Sequence, residues 1–236
     1  MIRQVLLPLS LMTVFSGCSD ANGAASKAEK PRLLPALQRF AESLPAAFDA
    51  IPAEHKTELD KLAQFLRTRT ASGQPARVIF ICTHNSRRSH MGQMAATLAA
   101  AHYGLEGIEA YSGGTEVTAF NQRAVDALRR IGFDIDTPSG MNPHYSVRFA
   151  EDRDPVEAFS KKYDDPTNPR EGFAAVMTCG HADSSCPTVA GAALRIPLHF
   201  VDPKAADDTP EEAKAYDERL RQIATEVFYA FSKVRT

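Results

Sequence analysis

The chain has 236 residues, 44% hydrophobic and 24% charged, enough to bury the core of one domain with an appendage. A formal net charge of −2 gives no polyanion signal, so nucleic acid is excluded as an expected partner. The four cysteines, Cys18, Cys82, Cys179 and Cys186, stand in sharply different contexts, and the chemistry is sought among them.

At the N-terminus Arg3 supplies a positive flank and Val5 to Phe15 a short apolar run, too short to span a bilayer comfortably, so the segment reads as a signal peptide. It ends in Phe15-Ser16-Gly17-Cys18, which resembles a lipoprotein cleavage box. That resemblance implies cleavage before Cys18, lipidation of its sulfur and, with Ser19 rather than aspartate following, an outer-membrane anchor. The other reading is an ordinary secretion signal with Cys18 incidental. Both place the chain in the periplasm, with contact to membrane through the lipid only. Ser19 to Pro31 is small and polar without periodicity, a tether.

Leu33, Leu34, Leu37, Phe40 and Leu44 recur at helical spacing, as do Leu59, Leu62, Phe65 and Leu66, with Pro45 and Pro52 dividing the region into two helices. Two short helices cannot bury both stripes alone, so they are expected to pack on the domain C-terminal to them. Ala71 to Pro75 is a loop. Val78-Ile79-Phe80-Ile81 is a continuous apolar run of the kind a strand buried on both faces requires. The polar stretch Cys82 to Ser89 comes next, then a helix with Met91, Met94, Ala95, Leu98 and Ala99 on one face. Ile108–Tyr111, Phe173–Met177 and Leu194–Leu198 read as strands. A helix through Ala124, Val125, Leu128 and Ile131 ends at Gly132. The last helix is expected to open at Thr209-Pro210-Glu211-Glu212 as a capping box. Strands alternating with helices argue for an α/β fold, a parallel sheet covered on both faces. The stretch 136–172 is long, with a strand at Tyr145 to Phe149; it is either a rim that selects substrate or a solvated insertion.

Cys82, five intervening residues, Arg88 and Ser89 lie between a strand and a helix. Such a loop can turn successive backbone N–H groups inward as an anion nest at the positive end of the helix dipole. Arg88 can add a two-pronged fork, and a thiolate at the bottom is placed for in-line attack on a tetrahedral centre. A buried cysteine at a strand end would not by itself require Asn85, Arg88 and Ser89 at these offsets.

This loop resembles that of the low-molecular-weight protein tyrosine phosphatases and the thioredoxin-coupled arsenate reductases. The likeness runs roughly from Arg77 to the C-terminus and implies a four-stranded parallel sheet with helices on both faces. To this the present chain adds an N-terminal helical extension. The resulting division is a signal peptide (1–17), tether (18–31), extension (32–72) and phosphatase/arsenate reductase-like domain (73–236). The resemblance makes Cys82 the nucleophile and Thr83, His84, Asn85, Ser86, Arg87, Arg88 and Ser89 the anion cradle. Asn85 matches the asparagine that orders it, and Ser112-Gly113-Gly114-Thr115 matches a loop whose serine helps hold that asparagine. His84 stands where glycine is usual. Arg87 stands where many members have a second cysteine, adding charge beside the anion. Asp202-Pro203 matches the general acid. Lys204 replaces the aromatic residue that comes next in the phosphatases, which counts against an aryl phosphate.

Cys179 and Cys186, with six residues between them, match the redox pair of the arsenate reductases. The resemblance then implies that Cys82 attacks arsenate, Cys179 attacks Cys82 to expel arsenite, and Cys186 resolves the bond, a flexible polar stretch allowing the rearrangement. A structural disulfide is the competing reading. Zinc does not suit the spacing, His181 reads as a solvated loop residue, and no cofactor is expected. The expected function is therefore arsenate reduction, with a thioredoxin-like dithiol protein outside the cytoplasm as reductant. The alternatives are a phosphomonoesterase of the tyrosine phosphatase type and a non-catalytic oxyanion-binding lipoprotein.

Overall fold

The computed structural model describes residues 29–185 and 188–234. Expectations for the signal peptide, Cys18 and Cys186 lie outside the described residues.

The centre of the molecule is β1 (Ala76–Cys82), whose run Val78-Ile79-Phe80-Ile81 is fully buried, as a strand covered on both faces must be. It is flanked by β2 (Ile108–Gly114) on one side and by β6 (Phe173–Met177), then β7 (Ala192–Pro197), on the other. All three pairings are parallel, with Cys82 opposite Gly114 and Ile81 opposite Met177. The period of two along β1 splits the core. Val78 and Phe80 join the larger cluster, while Ile79 and Ile81 join a smaller one with Phe173, Met177 and Ala182.

Parallel strands need crossovers, and these supply α3 (Arg88–Tyr103) after β1 and α4 (Gln122–Ile131) after β2. Gly132, at φ 116°, closes α4 in a left-handed conformation that a side chain would resist. Between α4 and β6 lies a second sheet of three short antiparallel strands, β3 (Asp134–Ile135), β4 (Tyr145–Arg148) and β5 (Val156–Ala158). Helix α5 (Gly180–Ser185) comes after β6, and α6 (Glu212–Ser232) closes the fold.

The N-terminal segment forms α1 (Pro35–Ser43), a 3-10 turn over Pro45–Ala50 and α2 (Ala53–Ala71). Leu37, Leu44, Leu59, Leu62 and Leu66 are fully buried in the same core as α3 and α6, each contributing about 2–3 kcal/mol. The extension is thus continuous with the domain's interior.

Two local expectations are corrected. Leu33 is not helical; it forms an isolated antiparallel bridge with Ala150, and Pro35 begins the helix one residue after Leu34. The capping box at Thr209 does not form. Thr209 Oγ1 donates to the Ala206 carbonyl, Glu212 accepts instead from the Asp208 amide at 2.6 Å, and α6 starts after Glu211.

Candidate active site

The stretch from Cys82 to Ser89 hangs from the end of the central strand and runs into α3. Cys82 is buried and its Sγ lies 3.1 Å from Ser89 Oγ. Asn85 takes φ 44° and is wholly buried. Asparagine tolerates that left-handed region better than most residues, and here its side chain is fixed from both ends. Its Nδ2 donates to Ser89 Oγ at 2.9 Å and its Oδ1 accepts from the Lys161 amide at 2.8 Å. The loop's left-handed residue is therefore Asn85, and His84, in the place of the usual glycine, does not need a positive φ.

Backbone carbonyls of the loop are engaged from outside it. Thr115 and Glu116 amides donate to Cys82 O and Thr83 O, Ser160 Oγ and Thr118 Oγ1 to His84 O, and the Asn121 amide to Ser86 O. Gly114 is required by this closeness. A Cβ there would stand 2.5 Å from Glu116 O, 2.6 Å from Asn85 N and 2.8 Å from Thr83 O. The serine of the β2 loop does not hold Asn85; Ser112 Oγ instead pairs with His90 Nδ1 at 3.3 Å. Asn85's second support comes from the 136–172 stretch, where Ser160 and Lys161 dock on the loop and Gly114 bonds to Lys161 O and Tyr163 N. That stretch is therefore a buttress, and no sequence signal marked it, since the decisive donor is a main-chain amide.

The two arginines diverge. Arg88 donates through Nη2 to Asp202 Oδ2 at 2.6 Å and through Nη1 to Phe200 O at 2.8 Å; its Nε is buried without a hydrogen-bond partner among the described residues. Asp202 is thus brought to the loop by the segment after β7, its other oxygen accepting from the Lys204 amide at 3.0 Å. Lys204 itself is exposed. Arg87 does not bring a free charge to the cradle: its guanidinium binds Tyr216 OH at 2.6 Å and Asp207 at 3.0 Å. Tyr216 donates to the same carboxylate at 2.8 Å, and burial first, then that bond, push its phenol up to about 12.

Cys179 comes to the same place from the end of β6. It is a buried free thiol, 3.5 Å from Thr83 Oγ1, and its sulfur accepts from the Ala182 amide at 3.4 Å. The segment after it is not a loose polar stretch but helix α5, pinned where Asp183 meets Arg195 at 2.6 Å and His199 at 3.2 Å. His181 is exposed yet lies on that helix, with Nδ1 3.3 Å from Thr83 Oγ1. Among the described residues no three His, Cys, Asp or Glu side chains gather closely enough to hold a metal ion.

A thiol at the foot of a loop whose carbonyls are engaged from outside, an arginine fork with one unpartnered nitrogen and a carboxyl beside that fork is an arrangement that can hold a tetrahedral anion and attack it. A parallel sheet bearing such a loop defines a class of cysteine-based enzymes. The model for "low molecular weight phosphotyrosine protein phosphatase" matches residues 77–149. The arsenate reductase of Bacillus licheniformis is 30% identical over 156 residues, 66% of this chain and 94% of that protein. The arsenate reductase of Bacillus subtilis is 31% identical over 144 residues, 61% of this chain and 86% of that protein. Among solved structures, a low-molecular-weight phosphotyrosine phosphatase from Vibrio cholerae O395 aligns over 66% of this chain and 94% of its own, at a TM-score of 0.44 and 15% identity. The chain belongs to the low-molecular-weight phosphotyrosine phosphatase and arsenate reductase family. It is a cysteine-dependent enzyme for small oxyanion or phosphate substrates.

Proposed function

We propose that this enzyme reduces arsenate. The observation that carries the reading is the second thiol: Cys179 Sγ, buried, lies 3.5 Å from the hydroxyl of Thr83, the residue next to Cys82. Hydrolysis of a phosphoester has no use for a sulfur there. The likeness to several arsenate reductases and Lys204 in place of an aromatic wall point the same way.

In this reading arsenate sits in the nest above Cys82, held by loop amides and Arg88. The Cys82 thiolate attacks arsenic, an As–S bond forms, and an oxygen leaves as water after taking a proton from Asp202. The Cys179 thiolate then attacks Cys82 sulfur. A disulfide forms, the As–S pair stays on arsenic, and arsenite with As(III) departs. Cys186 attacks Cys179, restoring the Cys82 thiolate and leaving Cys179–Cys186 oxidised. A dithiol protein of thioredoxin type returns the two electrons. If Cys18 is lipidated as the cleavage box implies, that reductant must be periplasmic.

A phosphomonoesterase would use Cys82, Arg88 and Asp202 and leave Cys179 and Cys186 idle; the family model's phosphatase description favours it as the second reading. Reduced protein is incubated with arsenate, and separately with an aryl phosphate. Arsenite together with a Cys179–Cys186 disulfide on peptide mapping is the expected result, and Cys186→Ala should then stop multiple turnover. Free phosphate without arsenite would overturn the reductase reading.

A further inference from the structure

The family match begins at residue 77, so α1 and α2 precede it, yet α2 reaches the machinery of the site. His55, in the first turn of α2, places Nδ1 2.7 Å from Glu226 Oε2 on α6, 171 residues away. Glu226 is 1% exposed, and burial pushes its carboxyl up. Its other oxygen accepts from Gln222 Nε2 at 3.0 Å, and Gln222 accepts in turn from Arg219. The His55 ring, fixed by that carboxylate, stands edge-on to Phe200 at 6.0 Å and 84°. Phe200 is the residue whose carbonyl holds Arg88, and Asp202 lies two positions further on.

The stretch Phe200–Asp202 needs an anchor. The Phe200 amide donates to Thr178 O at 3.1 Å, Val201 is 70% exposed and Asp202 faces partly to solvent, so beside that backbone bond and Arg88 the buried Phe200 ring is the side chain of the three that packs into the body of the protein. Glu226 is buried and His55 partly so, and such a pair is a poor choice for stability alone, since apolar side chains of the same volume commonly do as well or better. A hydrogen-bonded ring has one orientation, which is what a loop presenting both the anion's arginine partner and the acid requires.

We infer that His55, oriented by Glu226, is a positioning residue for the Arg88–Asp202 pair, so that the N-terminal extension is part of the active site's support. The inference rests on the reading of Cys82 to Ser89 as an anion cradle. It extends that reading to residues outside the matched segment.

The test measures anion affinity without turnover. Inorganic phosphate is titrated against iodoacetamide labelling of Cys82 in the reduced full chain, with labelling read on the Cys82 peptide. His55→Ala should weaken phosphate protection about tenfold, the middle of what coupling through a packed network delivers. Glu226→Gln keeps both hydrogen bonds once the His55 tautomer inverts, and should stay within about twofold of wild type. Leu66→Val, in the same helix but far along it, should lower Tm without moving the phosphate affinity. If His55→Ala does not fold, Phe200→Leu removes the same ring contact from the other side and must show the same loss. Wild-type affinity in either folded variant overturns the inference. Absence of phosphate protection in the wild type would instead remove the cradle reading, and the inference with it.

Discussion

His90 offers a direct physical test, because its titration is coupled to folding. Its ring is wholly buried, stacked on Phe120 with centroids 3.9 Å apart, and pairs with Ser112 Oγ at 3.3 Å. Burial, and secondarily the charge of Lys161, lower it from 6.5 to about 3, against a weaker opposing pull from the Asn85 backbone. Between those two values the unfolded chain binds one proton more than the folded chain. Stability is therefore complete above the unfolded value and falls as pH drops through it, at about 1.4 kcal/mol per unit. Acidification from about pH 7 to about pH 5 should remove roughly 2 kcal/mol through this one residue. His90→Gln carries no such charge and should lose that slope while keeping a partner for Ser112. Urea unfolding monitored by far-UV circular dichroism at steps across this range gives the stability of both proteins, and their difference isolates His90 from other titrating groups. Parallel curves for wild type and variant would refute the reasoning.

Other substitutions probe the site itself. Cys82→Ser should abolish turnover with arsenate while retaining measurable phosphate binding by calorimetry; full activity would remove the nucleophile. Asp202→Asn takes the carboxylate from Arg88, so phosphate binding should tighten a few-fold while turnover falls by roughly 10²–10⁴, the worth of a general acid, in steady-state assays. Gly114→Ala drives a methyl against three backbone atoms; thermal melts should show a loss of about 1–3 kcal/mol, and activity should drop by roughly a hundredfold as Asn85 is displaced.

Much of this was legible where one residue type answers to one constraint. The run Val78-Ile79-Phe80-Ile81 reads as the buried strand β1, and Gly132 as the cap of α4, because burial on two faces and a left-handed turn each leave few choices. Cys82, Arg88 and Ser89 could be named from the needs of an anion loop, Asn85 and Asp202 only through the family resemblance. The features that stayed hidden depend on pairing across distance. Nothing in the order of residues says that the Lys161 amide, rather than the Ser112 hydroxyl, completes the bonding of Asn85. Nor does it say that Arg87 turns to Tyr216, or that His55 finds Glu226. The Thr209 box failed for a local reason: the Glu212 amide it would cap donates to the Thr209 carbonyl, and the hydroxyl turns to Ala206 O. Ser, Thr and Asp side chains compete for nearby backbone in just this way.

The two arginines of the loop show how the protein separates a structural charge from a usable one. Arg87 and Asp207 are similarly sheltered, at 13% and 15% side-chain exposure, and Tyr216 bonds to both, so breaking that pair would strand buried partners. Arg88 is as sheltered, at 12%, but its partner Asp202 is 37% exposed and can be rehydrated when displaced. An anion in the cradle would compete with Asp202 for Nη2, and Nε, buried and without a hydrogen-bond partner among the described residues, would be left for it as the fork turned. A carboxylate that loses its arginine binds a proton more readily. The same exchange that lets Arg88 grip the substrate would therefore also arm the acid, and an acid armed only when the cradle is full does not need a separate signal.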